Sequence, residues 1–203
     1  MATHTLVNPR YRKGTNNSGP IFYGYGGPTL TTGGENTTLK ETAGQSYRVN
    51  DLVYVDSNGT IALVTESTDT VNSAILGQAA RAATGVTGAP AYVMVWRPED
   101  RFEMQVFHST PASAVTALTQ RGQIYSIKKD ENGNDTYHVD IETTTLEDQN
   151  VAIARVQVVG FPEGEIINGV VSTIGDQYGW VIVKPLEWSI GSDGDPRVRC
   201  LQY

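Results

Sequence analysis

From residue 43 onward, short apolar runs alternate with turn-forming residues, which is the pattern of β-strands joined by tight turns. Residues 52–55 and 61–64 are two such runs, and Asp56-Ser57-Asn58-Gly59 lies between them. Asn-Gly between apolar runs predicts a β-hairpin here, and Asn132-Gly133 predicts a second hairpin between residues 125–127 and 137–139. Further strands are predicted at residues 91–96, 102–107, 124–127, 137–141, 151–159, 170–174 and 180–183.

One segment has the features of a helix instead. Thr110 can cap it, Pro111 suits the first helical position, and residues 112–120 are rich in helix-forming residues, so two or three turns are expected before Gly122. Residues 75–83 contain several alanines, but the glycine at position 77 and the flanking Thr and Gly residues favour a strand. The predicted fold is all-β, a β-barrel or sandwich-like body with one short helix and an extended N-terminal arm.

The arm is predicted from the composition of the first 40 residues. Seven glycines and three prolines lie within the first 34 positions, and no apolar periodicity is sustained. The chain is therefore divided into an extended arm over residues 1–40 and a β-rich domain over residues 41–203. The arm contains Phe22, Tyr23 and Tyr25, and aromatic side chains need a surface to bury against. We expect these three residues to anchor the arm on a partner protein; the alternative is that they fold back onto the barrel of their own chain.

Charge is distributed unevenly between the two parts. The chain has 15 basic and 22 acidic residues, a net charge of −7. Residues 1–34 contain Arg10, Arg12 and Lys13 and no acidic residue, so the remainder holds 12 bases against 22 acids, a net charge of −10. Such an acidic body repels a phosphate backbone, and direct nucleic-acid binding is not expected. We expect the three basic residues, with Tyr11 beside them, to contact acidic groups of a partner.

No set of residues suited to catalysis can be named from the sequence. His4, His108 and His138 do not have the spacing of a catalytic or metal-binding motif, and His108 and His138 are expected to face solvent or to be satisfied locally. Cys200 is the single cysteine, so no intrachain disulfide is possible, and no reactive-thiol motif surrounds it. We therefore predict that the protein is not an enzyme.

Metal, cofactor and membrane binding are not expected either. Residues 130–135 resemble the start of a calcium-binding loop, but Asp135 and Ile141 stand where such a loop requires Gly and Glu. Met1-Ala2-Thr3-His4 has neither the basic nor the apolar part of a signal peptide, and no apolar run approaches about 18 residues. We expect synthesis in a cytoplasm and no membrane partner.

One stretch resembles a known family. Residues 44–59 read Gly-Gln-Ser-Tyr-Arg-Val-Asn-Asp-Leu-Val-Tyr-Val-Asp-Ser-Asn-Gly, and this resembles the opening G-x-S-aromatic-x-x-G/N-D-L-V-Y of the head-decoration, or cement, proteins of tailed bacteriophages. Later features that fit the same pattern in the same order are residues 75–77, 93–100, 102–104, 122–125 and 138–140. The resemblance covers residues 44–183, and the arm is matched less well.

The resemblance implies a structural function. Proteins of this family are all-β, often homotrimeric, and sit on the outer surface of an icosahedral capsid, where they clamp major capsid subunits against the pressure of packaged DNA. By resemblance, the expected partners are the major capsid protein and further copies of this chain, and the expected location is the virion, after synthesis in the host bacterial cytoplasm. The alternative is a carbohydrate- or receptor-binding β-domain of a virion, in a head fibre or tail component. Trp96, Trp180 and Trp188 could serve it as aromatic platforms, although Trp96 and Trp180 lie within apolar strands and are predicted core residues.

Overall fold

The computed structural model describes residues 2–14, 21–23, 30–32, 35–37, 39–56, 58–64, 75–97, 99–129, 136–142, 156–188 and 200–201. For residues 13–14, 21–23, 30–32, 35–37, 187–188 and 200–201 the backbone alone is described. The chain divides into two compact units. The barrel unit contains Met1–Asn17 and Glu99–Leu186, and the sheet unit contains Ser18–Pro98 and Glu187–Tyr203.

The strands follow one another along the chain with two short 3-10 helices, Pro111–Ser113 and Leu118–Gln120, between β9 and β10. The first eight strands are β1 (Arg10–Gly14), β2 (Ile21–Tyr23), β3 (Leu30–Thr32), β4 (Glu35–Thr37), β5 (Leu52–Val55), β6 (Ile61–Leu63), β7 (Ile75–Ala79) and β8 (Val93–Val95). The others are β9 (Asp100–Phe107), β10 (Ile124–Lys129), β11 (Tyr137–Asp140), β12 (Val156–Gly160), β13 (Ile166–Ile167), β14 (Val170–Val171), β15 (Trp180–Pro185), β16 (Glu187–Trp188) and β17 (Cys200–Leu201).

Five strands of the barrel unit form a closed ring. Their order is β9, β11, β10, β12 and β15, and β15 pairs with β9 to complete the barrel. The β9 and β11 strands are parallel, whereas the other four neighbouring pairs are antiparallel. Strand β1 adds to β9 in antiparallel orientation beside this ring. The predicted all-β fold is confirmed, and of the two predicted forms, a barrel or a sandwich-like body, this unit is a barrel.

The interior of the barrel is filled by side chains that alternate along each strand. Register partners lie on the same face of a sheet, so Phe102 in β9, Val183 in β15 and Val158 in β12 form one row. Met104 and Val181 form the neighbouring pair. All five side chains are completely buried, and their removal from water is the main source of barrel stability.

The other face of β9 is polar in sequence but is also buried. Gln105 is fully covered, and its side-chain oxygen accepts a hydrogen bond from the N–H of Val7 at 2.7 Å. Its side-chain nitrogen donates to the carbonyl oxygens of Thr5 and Tyr178, each at 2.9 Å. Alternation along β9 is therefore present as predicted, but the polar face is covered by the N-terminal segment, which satisfies its hydrogen bonds.

The sheet unit is built on a five-stranded antiparallel sheet in the order β2, β8, β7, β5 and β6. Strands β3 and β4 pair with each other, and so do β16 and β17. Apolar side chains from the strands and from the segment before β5 form one buried cluster: Leu39, Tyr47, Val53, Ile61, Leu76, Ala79, Ala91, Val93 and Val95. This cluster is the core of the sheet unit.

Strand β7 confirms the strand predicted for the start of residues 75–83. Gly77 pairs with Val53 on one side and with Val95 on the other. A Cβ atom at Gly77 would lie 2.0 Å from the carbonyl oxygen of Met94, far inside van der Waals contact. The glycine therefore allows β8 to approach β7 closely enough to pair.

Both predicted hairpins are present as antiparallel pairs. In the first, β5 pairs with β6, and the carboxylate of Asp56 accepts hydrogen bonds from the N–H groups of Asn58 (2.9 Å) and Thr60 (2.8 Å). Burial acts to raise the pKa of Asp56, but hydrogen bonds from Thr60, Thr42 and Asn58 outweigh it and hold the pKa below its ordinary value. In the second, β10 pairs with β11, and the connecting residues 130–135 lie outside the described residues.

The predicted helix over residues 111–120 is wrong. Only two 3-10 helices of three residues each form here. Between them, the N–H of Thr116 donates to the carbonyl of Asp176 (3.3 Å), and the carbonyl of Ala114 accepts from the N–H of Tyr178 (2.7 Å). The helix-forming composition does not produce an α-helix here. Backbone groups of this segment form hydrogen bonds with the segment before β15, and not with groups four residues away in the sequence.

The predicted arm, residues 1–40, is shared between the two units. Residues 2–14 belong to the barrel unit, where Arg10–Gly14 pairs with β9. Strands β2, β3 and β4 belong to the sheet unit, and Leu39 is part of its core. A boundary at residue 40 therefore does not coincide with the division of the fold. Segments of residues 1–40 have the composition of a linker, but they pair as strands with later parts of the chain.

Candidate partner-binding surface

The basic residues predicted to meet a partner lie on β1, at the side of the barrel. Arg10 is the register partner of Glu103, and Tyr11 that of Phe102. The ring of Tyr11 meets the ring of Phe102 edge to face, with centroids 5.5 Å apart, and Tyr11 is half-buried. This contact with the barrel core fixes the position of β1.

Arg12 is engaged within its own chain. Its Nη1 donates to Oε1 of Glu103 at 3.0 Å, and its Nη2 donates to Oε1 of Glu165 at 2.5 Å. The hydrogen bond to Glu165, opposed by partial burial and helped by the charges of both carboxylates, raises the pKa of Arg12 above its ordinary value. The guanidinium therefore joins β1 to β9 and to the residue before β13.

Arg10 is more open to solvent. Its side chain keeps 48% of its surface exposed, and its Nη1 lies 3.9 Å from Oε2 of Glu103. Its Cζ lies 5.9 Å from the ring centroid of Trp180, which is a cation–π distance. Of the two arginines, Arg10 is thus the one with charge available to a second molecule. Lys13 is described by its backbone in β1 only.

The aromatic residues predicted as anchors belong to the sheet unit. Phe22 pairs with Met94 and Tyr23 with Val93, through the backbones of β2 and β8. Their side chains are not described, and Tyr25 lies outside the described residues. The structure therefore places the basic and the aromatic candidates in different units, and it brings Arg10, Tyr11 and Arg12 together on one strand.

A buried contact between His4 and Asp176, which sequence reasoning missed, holds the start of the chain. Nε2 of His4 lies 3.2 Å from Oδ2 of Asp176, and both residues are buried. The carboxylate of Asp176 also accepts from the N–H groups of Ala2 (2.7 Å) and Thr173 (2.9 Å). Burial acts to raise the pKa of Asp176, but these hydrogen bonds and His4 hold the pKa below its ordinary value. No local signal could have shown this pair, because its members are 172 positions apart.

The other two histidines differ from each other. Nδ1 of His108 accepts a hydrogen bond from the N–H of Thr110 at 2.9 Å, so the expected local satisfaction is confirmed. His138 is fully buried, so of the two expected environments it does not face solvent but is satisfied locally at one of its two ring nitrogens. Its Nε2 is 2.8 Å from the hydroxyl of Thr136, while its Nδ1 has no hydrogen-bond partner. Burial lowers the pKa of His138 to about 3, so the ring is neutral near neutral pH.

The aromatic platforms of the alternative carbohydrate-binding interpretation are largely removed. Trp96 and Trp180 are both buried, which confirms their prediction as core residues. The indole N–H of Trp96 donates to the side-chain oxygen of Gln78 at 3.4 Å. For Trp188 only the backbone is described, in β16. A sugar-binding platform would require exposed rings, and the indole rings of Trp96 and Trp180 are both buried.

The described residues show neither a candidate metal site nor a membrane-spanning helix. They contain no group of three or more His, Cys, Asp or Glu side chains that could hold a metal ion. Among these residues, no helix has the length and apolar character needed to cross a membrane. Cys200 pairs through its backbone with Trp188.

Exposed apolar side chains mark a second surface that the sequence did not single out. Ile166 in β13 is 73% exposed, and Val171 in β14 is 52% exposed. Sequence reasoning predicted one strand at residues 170–174, whereas the structure has a hairpin across Asn168-Gly169. The signal was present, since Asn-Gly stands between two pairs of β-branched residues, as it does at the hairpins that were predicted.

The chain was compared with protein-family models and with curated proteins. No protein-family model matches the chain, and no curated protein matches it.

Proposed function

We propose that this chain is a non-enzymatic structural protein of a virion, which binds the outside of an icosahedral phage capsid and stabilises contacts between major capsid subunits. The proposal is supported by the resemblance over residues 44–183 and by the all-β fold. Its partners would be the major capsid protein and further copies of the chain, and neither nucleic acid nor membrane is required.

The observation that carries the proposal is the role of the motif residues in the fold. Tyr47 lies in the core of the sheet unit, and the carboxylate of Asp51 accepts a hydrogen bond from the N–H of Arg48 at 2.7 Å. Gly44 and Asn50 have positive φ angles of 67° and 71°, which Gly and Asn adopt with least strain. The residues that resemble the family therefore build the turn that leads into β5, as expected for a motif that specifies a fold.

We place the capsid contact first on Arg10 and Tyr11, with Lys13, Phe22, Tyr23 and Tyr25 as further candidates. Arg10 combines a half-exposed charge with a fixed backbone position in β1. An ordered charge of this kind favours steering and register on an acidic partner more than raw affinity. Arg12 has its carboxylate partners inside the chain, so its contribution to binding would be indirect.

Co-sedimentation of the full chain with capsid shells from the same virus, freed of this protein, tests the proposal. We expect binding at micromolar concentration that weakens as salt is raised. Arg10→Ala should weaken binding and reduce its salt dependence, whereas Arg121→Ala, which removes an exposed arginine from the same unit, should leave both unchanged. Failure of the unaltered chain to bind the shells would exclude the function.

A further inference from the structure

The hairpin of β13 and β14 has a shape that its own sequence enforces. Asn168 and Gly169 connect the two strands and have φ angles of 51° and 80°. Positive φ at both central residues is typical of the type I′ turn. The backbone twist of this turn matches the right-handed twist of the two strands that it joins. The tip is therefore ordered before any partner is met.

Alternation puts two β-branched side chains on the outward face of this hairpin. Ile167 is buried and faces the protein, whereas Ile166 and Val171 are exposed. Ile166 and Val171 are register partners, so their side chains lie side by side. Together they form one apolar patch, here named the hairpin patch.

The hairpin patch differs from the other exposed apolar side chains of the described residues. Val49, Val86 and Leu118 are also more than half or about half exposed, but each belongs to a separate segment. Singly exposed hydrophobic residues are ordinary on protein surfaces. Polar residues are the norm on the outward face of a strand. Two paired apolar side chains on that face indicate a surface that a partner covers when the protein functions.

The base of the hairpin is held firmly. The N–H of Gly164 donates to the carbonyl of Ser172, and the N–H of Ser172 donates to the carbonyl of Glu165, each at 2.8 Å. The carboxylate of Glu165 is in turn bound by Arg12. A patch anchored in this way loses little conformational freedom when it is buried by a partner.

We propose that the hairpin patch inserts into an apolar pocket of the capsid protein, and that basic residues border the pocket. This inference rests on the proposed function and names the element that makes the contact. Charge supports it, because Glu163 is exposed at the base of the hairpin, whereas the carboxylate of Glu165 is bound by Arg12 and that of Asp176 is buried against His4. The exposed carboxylate of Glu163 is repelled by an anionic lipid surface and attracted by a basic rim.

The small size of the patch also favours a capsid over a second copy in solution. A stable interface buries about 800 Å² on each partner, and two aliphatic side chains supply only a fraction of that area. On a capsid, a patch of this size can still be bound. Other contacts of the same molecule with the shell keep the patch close to its pocket and so raise its effective concentration there. The patch would thus act as one anchor among several.

The double variant Ile166→Thr with Val171→Thr tests the inference in the full chain. Threonine keeps the branched Cβ that suits a strand but removes apolar surface, so the fold is retained. Val49→Thr with Val86→Thr makes the same kind of change at exposed positions of the sheet unit and serves as the matched control. Circular dichroism and thermal unfolding should show both variants folded.

In co-sedimentation with capsid shells, we expect the hairpin variant to bind at least about tenfold more weakly, and the control to bind as the unaltered chain does. Equal binding by the hairpin variant and the unaltered chain would refute the inference while leaving the proposed function in place. No binding by the unaltered chain would refute both.

Two other occupants of the patch are separated by further measurements. Sedimentation equilibrium that shows a dimer or trimer of the unaltered chain, dissociated by the hairpin substitutions, would assign the patch to a second copy. Binding of the unaltered chain to phosphatidylserine vesicles, lost in the hairpin variant, would assign it to lipid. Either result would overturn the assignment to a capsid pocket.

Discussion

His138 shows how burial changes the chemistry of a single side chain. The imidazole stacks on the ring of Phe107, with centroids 5.9 Å apart, and is fully enclosed. A charged ring would lose its hydration there, and the pKa is lowered to about 3 from 6.5. The unfolded chain binds a proton at this residue below about pH 6.5, whereas the folded chain does not until the pH is far lower.

This difference predicts a loss of stability in acid. Because the unfolded state binds the extra proton, the free energy of unfolding should fall as the pH drops below about 6.5, by about 3 kcal/mol at pH 4. Urea unfolding measured across this range checks the slope. His138→Phe should lose this part of the pH dependence, and a variant with an unchanged slope would show that other groups cause it.

Gly77 gives a second prediction at the residue scale. Gly77→Ala would place a methyl group against the carbonyl of Met94, so β7 and β8 would have to separate. We expect a loss of about 3 kcal/mol in the free energy of unfolding. Gly160→Ala is the control, since its Cβ would lie 3.8 Å from Cδ1 of Ile182, an ordinary contact. Equal effects of the two substitutions would contradict the steric explanation.

At the scale of elements, β9 organises the barrel unit. One edge of β9 pairs with β15, while its other hydrogen-bonding partners are β1 near its start and β11 near its end. Its inward side chains fill the core, and its outward Gln105 binds the N-terminal segment. A single strand thus contributes to closure of the barrel and to the position of the basic strand β1.

The N-terminal segment should depend on Gln105. Gln105→Leu would leave the N–H of Val7 and the carbonyls of Thr5 and Tyr178 without their buried partner, at a cost of about 2 kcal/mol. Hydrogen exchange should increase over residues 2–14. Gln157→Leu, which removes one hydrogen bond to the carbonyl of Gly122 at a partly exposed position, should have a small effect. Unchanged exchange in Gln105→Leu would show that other contacts hold the segment.

At the scale of the whole molecule, the proposed function predicts a saturable effect on the capsid. A protein that binds only the assembled shell stabilises it by mass action, so the temperature of shell dissociation should rise with added chain until the sites are filled. Light scattering during heating measures this temperature. A shell whose dissociation is insensitive to the chain would contradict stabilisation, even if the chain binds.

Oligomerisation is a separate expectation at the same scale. The family resemblance implies a homotrimer, and sedimentation equilibrium of the free chain tests it. A trimer at micromolar concentration would support assembly before capsid binding. A monomer in solution, together with groups of three on the shell seen by cryo-electron microscopy, would show that the capsid surface brings the copies together.

The sequence by itself determined the local parts of this protein. The hairpins β5–β6 and β10–β11 follow from Asn-Gly between apolar runs, because turn geometry depends on the residues of the turn. Burial of Trp96 and Trp180 follows from their place in apolar runs of the sequence. The place of Arg10, Tyr11 and Arg12 on one strand of the barrel unit was not predictable from the sequence.

Only the tertiary structure decided what depends on contacts between distant residues. The segment after Pro111 has helical composition, yet its backbone bonds to residues about 60 positions later. His4 contacts Asp176, and Arg12 donates hydrogen bonds to Glu103 and Glu165. The partners in these contacts are 91 to 172 positions apart in the sequence. Local propensities are worth less than about 1 kcal/mol per residue, whereas burial and satisfied buried hydrogen bonds are worth more, so the packed partner prevails over the local preference.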